Sequence, residues 1–149
     1  VLTKRNEYPG IHSAQISFPG GKAEPGDADL AHTALRETFE EIGIAESEID
    51  VVMPFSQTYI PPSNFLVSPF LGLCYSELDF KANPYEVREI IELPMDVLLD
   101  DTIIVNVEMQ TSYAARTVVP AFKFHDHVVW GATAMILSEL KETLKNVLK

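Results

Sequence analysis

A single cysteine, Cys74, in 149 residues excludes an internal disulfide and suits a reducing, cytoplasmic compartment. It lies in the apolar stretch "FLGLCY", which predicts a buried structural thiol and not a nucleophile. No apolar run approaches the ~20 residues needed to span a bilayer, so no membrane partner is expected. No stretch reads as a secretory signal, and no repeat recurs at solenoid periods. Cations are scarce: 11 Lys and Arg stand against 22 Asp and Glu, a net charge of −11. Nucleic acid is therefore not an expected partner, because that binding rests on counterion release by basic surfaces. A small-molecule substrate remains. It can be a polyanion if metal ions and a few local cations invert the field. Lys4, Arg5, Lys22 and Arg36 all fall within the first 36 positions.

At 46% hydrophobic, the chain can bury one ordinary core, which predicts a single domain over residues 1–149. Residues 1–5 and 14–18 read as short strands around a turn at "YPG", 8–10. "FPGGKAEPGD", 18–27, reads as a loop, and Asp27 or Asp29 as the cap of a helix over about 28–42 that Gly43 ends. Ala31, Ala34, Leu35, Thr38 and Ile42 form its expected core face. Residues 51–59, 66–75, 87–92, 103–109 and 117–124 are strand candidates. "PMDVLLDD", 94–101, suggests a short helix with Pro94 at its first position. Residues 133–149 suggest a second long helix, with Leu137, Leu140, Leu144 and Leu148 as its seam and Lys145 and Lys149 suited to its C-terminal dipole. The fold class is α/β (α+β), with a mixed sheet between helices.

The stretch "RETFEEIG", 36–43, places Glu37, Glu40 and Glu41 at i, i+3 and i+4, nearly opposite the core face. Like charges at that spacing cost a helix about 0.2–0.5 kcal/mol per pair. Two of them also oppose the helix dipole, and no lysine stands at i+4 to relieve them. A solvated acidic face is one reading. A site for Mg²⁺ or Mn²⁺ is the other, since carboxylate oxygens are the ligands these ions prefer. The preceding glycines let backbone come close to a metal or a phosphate.

At these residues the sequence resembles a family. "GGKAEPGDADLAHTALRETFEEIGI", 20–44, looks like the loop–helix signature of the Nudix hydrolases. Gly21, Arg36, Glu37, Glu40, Glu41 and Gly43 match it. Asp27 stands where the pattern has Glu, one residue further from the arginine, and Thr38 takes a nominally apolar place. Upstream, "LTKRNEYPGIHSAQISFPGG", 2–21, is similar to the extra motif of the coenzyme A diphosphatase branch, through Leu2, Thr3, Arg5, Phe18, Pro19, Gly20 and Gly21. Asn6, Gly10 and Ala14 depart from it, and Gly10 replaces an arginine suited to phosphate. "VVWGATAMIL", 128–137, also looks like this branch.

The resemblance implies an α/β/α sandwich with a central mixed sheet, and metal-dependent hydrolysis of a nucleoside diphosphate derivative. It assigns Glu37, Glu40 and Glu41 to the metal, with the Gly21 carbonyl as a further ligand. Arg36 then braces an acidic side chain, and Lys4, Arg5, His12, Gly20 and Gly21 line the substrate's side. Glu41, Glu86, Glu89, Glu92 and Glu108 are candidate general bases. "HDH", 125–127, reads as a polar turn before it reads as a metal site. Tyr59, Phe65 and Tyr75 read as core before they read as adenine-stacking rings. Coenzyme A is the first substrate expected; NADH, ADP-ribose or a nucleoside triphosphate is the alternative. A binding module without catalysis is a third reading, and the intact acidic residues count against it.

Overall fold

A computed structural model describes residues 1–7, 15–111 and 114–149, with the backbone alone at 110–111 and 114–115. His12, Gly10, Ala14 and the expected turn at 8–10 lie outside the described residues. The chain forms two compact units: Val1–Gln57 with Ser68–Ile91, and Thr58–Val67 with Glu92–Lys149. The α/β class holds. Three α-helices accompany four separate sheets among the described residues, whose pairings are all antiparallel.

In the first unit, β1 (Leu2–Arg5) runs between β2 (Ile16–Ser17) and β7 (Val87–Ile91). Thr3 lies opposite Ser17 on one side and Ile90 on the other. Leu2 and Thr3 point to opposite faces of the strand and both are fully buried. Helix α1 (Leu30–Ile42) follows the glycine-rich loop. Asp29 caps it, accepting from the His32 N–H at 2.9 Å, and Gly43 ends it at φ 77°. That left-handed backbone is where glycine carries no Cβ penalty. The last carbonyls of α1 are taken up by a distant segment: Lys81 N–H donates to Ile42 O and Asn83 N–H to Glu41 O, at 2.8 and 2.9 Å. The chain then enters β7. The strand expected over 51–59 ends early, as β3 (Asp50–Pro54), which pairs with β6 (Phe70–Leu73).

In the second unit, β4 (Thr58–Ile60) and β5 (Phe65–Val67) form a hairpin. Strands β8 (Ile104–Thr111), β9 (Ala114–Phe124) and β10 (His127–Trp130) form a meander against which α3 (Gly131–Val147) packs. His125 and Asp126 make the two-residue turn between β9 and β10, with His125 at φ 49°. The expected polar turn between strands is thus present, with His127 already the first residue of β10. Pro94 precedes α2 (Met95–Leu99) as its cap, one position earlier than expected. Among the described residues no helix is long and apolar enough to cross a membrane.

Several expectations about burial change. Cys74 is exposed, not buried, because β6 ends at Leu73 and the chain leaves the ladder there. Tyr59, Phe65 and Tyr75 are exposed and not core. Leu148 is exposed as the cap just past the end of α3, whose buried positions are Ala134, Ile136, Leu137 and Lys141. Lys141 is a buried cation. Its ammonium donates to Asp100 O at 2.8 Å and meets the Asp101 carboxylate at 2.9 Å. Lys145, one turn on, reaches the same carboxylate at 2.8 Å.

The two lysines hold the Asp101 carboxyl down at about 2, from an ordinary 3.8, with the Lys145 hydrogen bond as the larger cause and Lys141 next. A carboxyl depressed in the folded state adds stability that is present above its unfolded value and lost as pH falls toward the folded one. Asp101→Asn is expected to lower stability by a constant amount above about pH 5, and the deficit to vanish as pH drops through the window from 3.8 to about 2. Denaturant unfolding of both proteins across that range measures it; a deficit that persists unchanged to pH 2 would show that the ion pairs do not stabilise the fold.

Candidate active site

The acidic stretch lies on the last turns of α1. Its spacing puts Glu37 and Glu41 on one face, with Glu40 to the side. Burial separates them: the side chains are 3% exposed for Glu41, 14% for Glu37 and 47% for Glu40. The glutamates, expected nearly opposite the core face, do not all project there. Glu41 is buried alongside Thr33, Leu35 and Ile42, while the expected core positions Ala31, Ala34 and Thr38 are half-buried. The cause is β1, whose buried face meets the helix at Glu41.

Three groups address the Glu41 carboxylate. Gly20 N–H donates to Oε1 at 3.4 Å, the Thr3 hydroxyl stands 3.5 Å from Oε2, and Arg5 Nη2 lies 4.0 Å from Oε1. These contacts are long. Burial raises the carboxyl's pKa above its usual value, the Gly20 N–H and Arg5 oppose that shift, and the charges of Glu37 and Glu86 add to it. Such an environment favours a nearby cation.

The loop before the helix is tied down by Arg36. Its guanidinium grips Asp27 in a fork, Nε to Oδ1 at 2.9 Å and Nη2 to Oδ2 at 3.1 Å. Nη1 donates to Glu37 at 2.9 Å and to Glu40 at 3.3 Å, and Nη2 to the Lys22 carbonyl at 2.9 Å. The repulsion along the helix is thus relieved by a cation at i−1 and i−4, not by a lysine at i+4. Asp27 keeps its carboxyl well below the usual range, chiefly through Arg36 and then the Glu24 N–H. Although it is shorter than glutamate, it also accepts from Thr33 at 2.8 Å. The extra residue between Asp27 and Arg36 leaves the tie intact.

Gly21 passes close to Glu37. A Cβ at this position would lie 2.3 Å from Glu37 Oε1, so a larger residue would have to displace a carboxylate that Arg36 holds at 2.9 Å. The loop thus lies against the last turns of α1, Gly21 beside Glu37 and Gly20 beside Glu41. Among the described residues, no three His, Cys, Asp or Glu side chains are set to hold a metal ion as they stand. Arg36 engages two of the carboxylates. The donor chemistry still fits a hard divalent cation, which takes carboxylate and carbonyl oxygens.

The expected substrate contacts separate. Alternation along β1 puts Arg5 on the face of Thr3, toward Glu41, and Lys4 on the opposite face with Leu2. Arg5 remains 36% exposed. Of the candidate bases, Glu86 and Glu89 belong to the same compact unit as α1, and Glu92 and Glu108 to the other. Sequence reasoning missed Thr3 as a partner of Glu41; the alternation of β1 was the available signal.

Asp27→Ala is expected to free Arg36 and the loop over 22–27. Exposed ion pairs contribute at most ~1 kcal/mol. A forked, charge-assisted pair should contribute more than such a single exposed contact. Denaturant unfolding reads the loss, and hydrogen exchange should show faster exchange at Glu24 and Asp27 than in the wild type. Unchanged stability and exchange would mean that Arg36 does not organise the loop.

The chain is similar to known proteins. The NUDIX domain family matches residues 1–106. The Nudix hydrolase NudL of Photorhabdus laumondii, described as uncharacterized, is 30% identical over 148 residues, covering 97% of this chain and 76% of its own. Its namesake in Yersinia enterocolitica is 31% identical over 145 residues, 95% of this chain and 72% of its own. The chloroplastic Nudix hydrolase 22 of Arabidopsis thaliana is 35% identical over 143 residues, 92% of this chain but 47% of the plant protein. The matched span takes in β1, the glycine loop and all of α1, and the chain belongs to the Nudix hydrolases, enzymes that split pyrophosphate bonds with the help of divalent metal ions.

Proposed function

We propose that this enzyme, as one Nudix domain over residues 1–149, hydrolyses coenzyme A to 3′,5′-ADP and 4′-phosphopantetheine. The observation that carries the site assignment is the close pass of Gly21 over Glu37, beside the buried Glu41. Glu37, Glu40 and Glu41 are the proposed ligands of Mg²⁺ or Mn²⁺, with the Gly21 carbonyl as a further one. Such ions, when bound, neutralise charge on the pyrophosphate and lower the pKa of the attacking water. Arg36 holds Glu37 and the loop in place and is a positioning residue. Gly20 offers its N–H to Glu41. Arg5 is the cation of β1 on the Glu41 face, and it is accessible enough to meet a phosphate. A cytoplasmic setting rests on the single cysteine.

The substrate rests on the resemblance of residues 2–21 and 128–137 to the coenzyme A diphosphatase branch. NADH, ADP-ribose or a nucleoside triphosphate is the second reading. Gly10, in place of an arginine, favours it, and so does the turn of Arg5 toward Glu41.

If the acidic residues hold the metal, Mg²⁺ or Mn²⁺ should raise Tm by mass action, and Glu40→Gln should weaken that response. Glu37→Gln and Glu41→Gln should each lower kcat by orders of magnitude. Near-wild-type turnover in both would place catalysis elsewhere.

A mass-spectrometric panel of coenzyme A, dephospho-coenzyme A, NADH and ADP-ribose tests the substrate. If Arg5 meets the 3′-phosphate, coenzyme A should exceed dephospho-coenzyme A by about ten- to a hundredfold in kcat/KM, and Arg5→Ala should remove most of that preference. Cleavage of NADH or ADP-ribose without coenzyme A would overturn the assignment.

A further inference from the structure

The Leu-Thr-x-Arg stretch of β1 contains a residue that the function described so far does not use. Thr3 is fully buried, with 0% of its surface exposed. It cannot touch a substrate in this arrangement. Its hydroxyl carries one proton and has two acceptors within reach, Ser17 O at 3.3 Å and Glu41 Oε2 at 3.5 Å. A valine has the same shape and suits a buried strand better, because it carries no polar group to desolvate. On the other oxygen, Gly20 N–H stands at 3.4 Å and Arg5 at 4.0 Å. The two oxygens of one buried carboxylate are therefore addressed by different groups, and Thr3 alone among these stands at Oε2.

We infer that Thr3 is a positioning residue for Glu41: its hydroxyl sets the direction of Oε2 and so the orientation in which this carboxylate meets a divalent cation. The inference rests on the proposed role of Glu41 as a ligand. Groups that orient a metal's ligands typically contribute ten- to a hundredfold in affinity or activity. The long Thr3 contact puts the expectation at the lower end, about tenfold.

The test is titration calorimetry of the full chain with Mn²⁺, alone and with imidodiphosphate, alongside Tm without metal. Thr3→Val should weaken Mn²⁺ binding about tenfold. Thr3→Ser, which keeps the hydroxyl, should bind within about twofold of the wild type. Wild-type affinity in Thr3→Val, even with a lowered Tm, would overturn the inference by making Thr3 a packing residue. Equal weakening in both variants would overturn it too, since keeping the hydroxyl would then bring no advantage. Should Thr3→Val not fold, Thr3→Ala against Thr3→Ser makes the same comparison. Glu41→Gln is the separate control. If it binds Mn²⁺ as the wild type does, the role of Glu41 fails and takes this inference with it. If Glu41→Gln loses binding while Thr3→Val keeps it, only the inference about Thr3 fails.

Discussion

A carboxylate with 3% of its side chain exposed is the constraint around which the first compact unit is arranged. Burying an ion costs several kcal/mol even after the protein relaxes. Here the compensation is thin: the hydrogen-bond contacts to Glu41 begin at 3.4 Å and its cation stands 4.0 Å away. Yet distant parts of the chain are committed to the spot. Thr3 and Arg5 come from β1, Gly20 from the loop, and Asn83 donates its N–H to the Glu41 carbonyl. A chain selected for stability alone would gain by placing an apolar residue there. An under-compensated interior carboxylate makes sense as a group that meets a cation during its work.

Arg36 complements that buried charge. One guanidinium satisfies Asp27 through two bonds and also reaches Glu37, Glu40 and a backbone carbonyl. A lysine could not do this, because a single ammonium lacks the planar fork. The arginine therefore joins loop to helix while neutralising the exposed side of the acidic cluster. Glu37 is shared between this network and the Gly21 backbone. The cluster consequently has two electrostatic sides, one compensated by Arg36 and one left with long contacts at Glu41.

The sequence made α1 legible because its boundaries are local. Asp29 accepts from an N–H three residues on, and Gly43 adopts the backbone that glycine favours. The spacing of the glutamates also follows from helix geometry alone. Which of them is buried does not. That depends on β1, some 38 residues earlier, which brings Thr3 to Glu41. Cys74 and Tyr75 show the same limit. Their apolar surroundings suggested a core strand, but the ladder of β6 stops at Leu73, where pairing with β3 ends. Lys141 sits among leucines on α3, and its burial depends on Asp100 and Asp101, about 40 residues away, which helix periodicity alone does not show. His12, expected on the substrate's side, and Gly10, which departs from the resembled motif, lie outside the described residues.

Strand alternation finally decides how much cationic help β1 can give. Lys4 and Arg5 are neighbours in sequence and look like a joint phosphate clamp. A β-strand sends adjacent side chains to opposite faces, so they cannot converge on one phosphate from the Glu41 side. Arg5 stands there with Thr3, while Lys4 shares its face with Leu2. The arginine is also drawn by Glu41 itself, at 4.0 Å. Its charge is divided between an interior carboxylate and whatever anion approaches from solvent. A cation that satisfied Glu41 would weaken that internal claim and leave Arg5 more available to an incoming phosphate. On the proposed assignment of Glu41 to the metal and Arg5 to a phosphate, metal and substrate affinity would be coupled through this one guanidinium, and in a chain of net charge −11 a polyanion would meet a favourable field only once the carboxylates are answered.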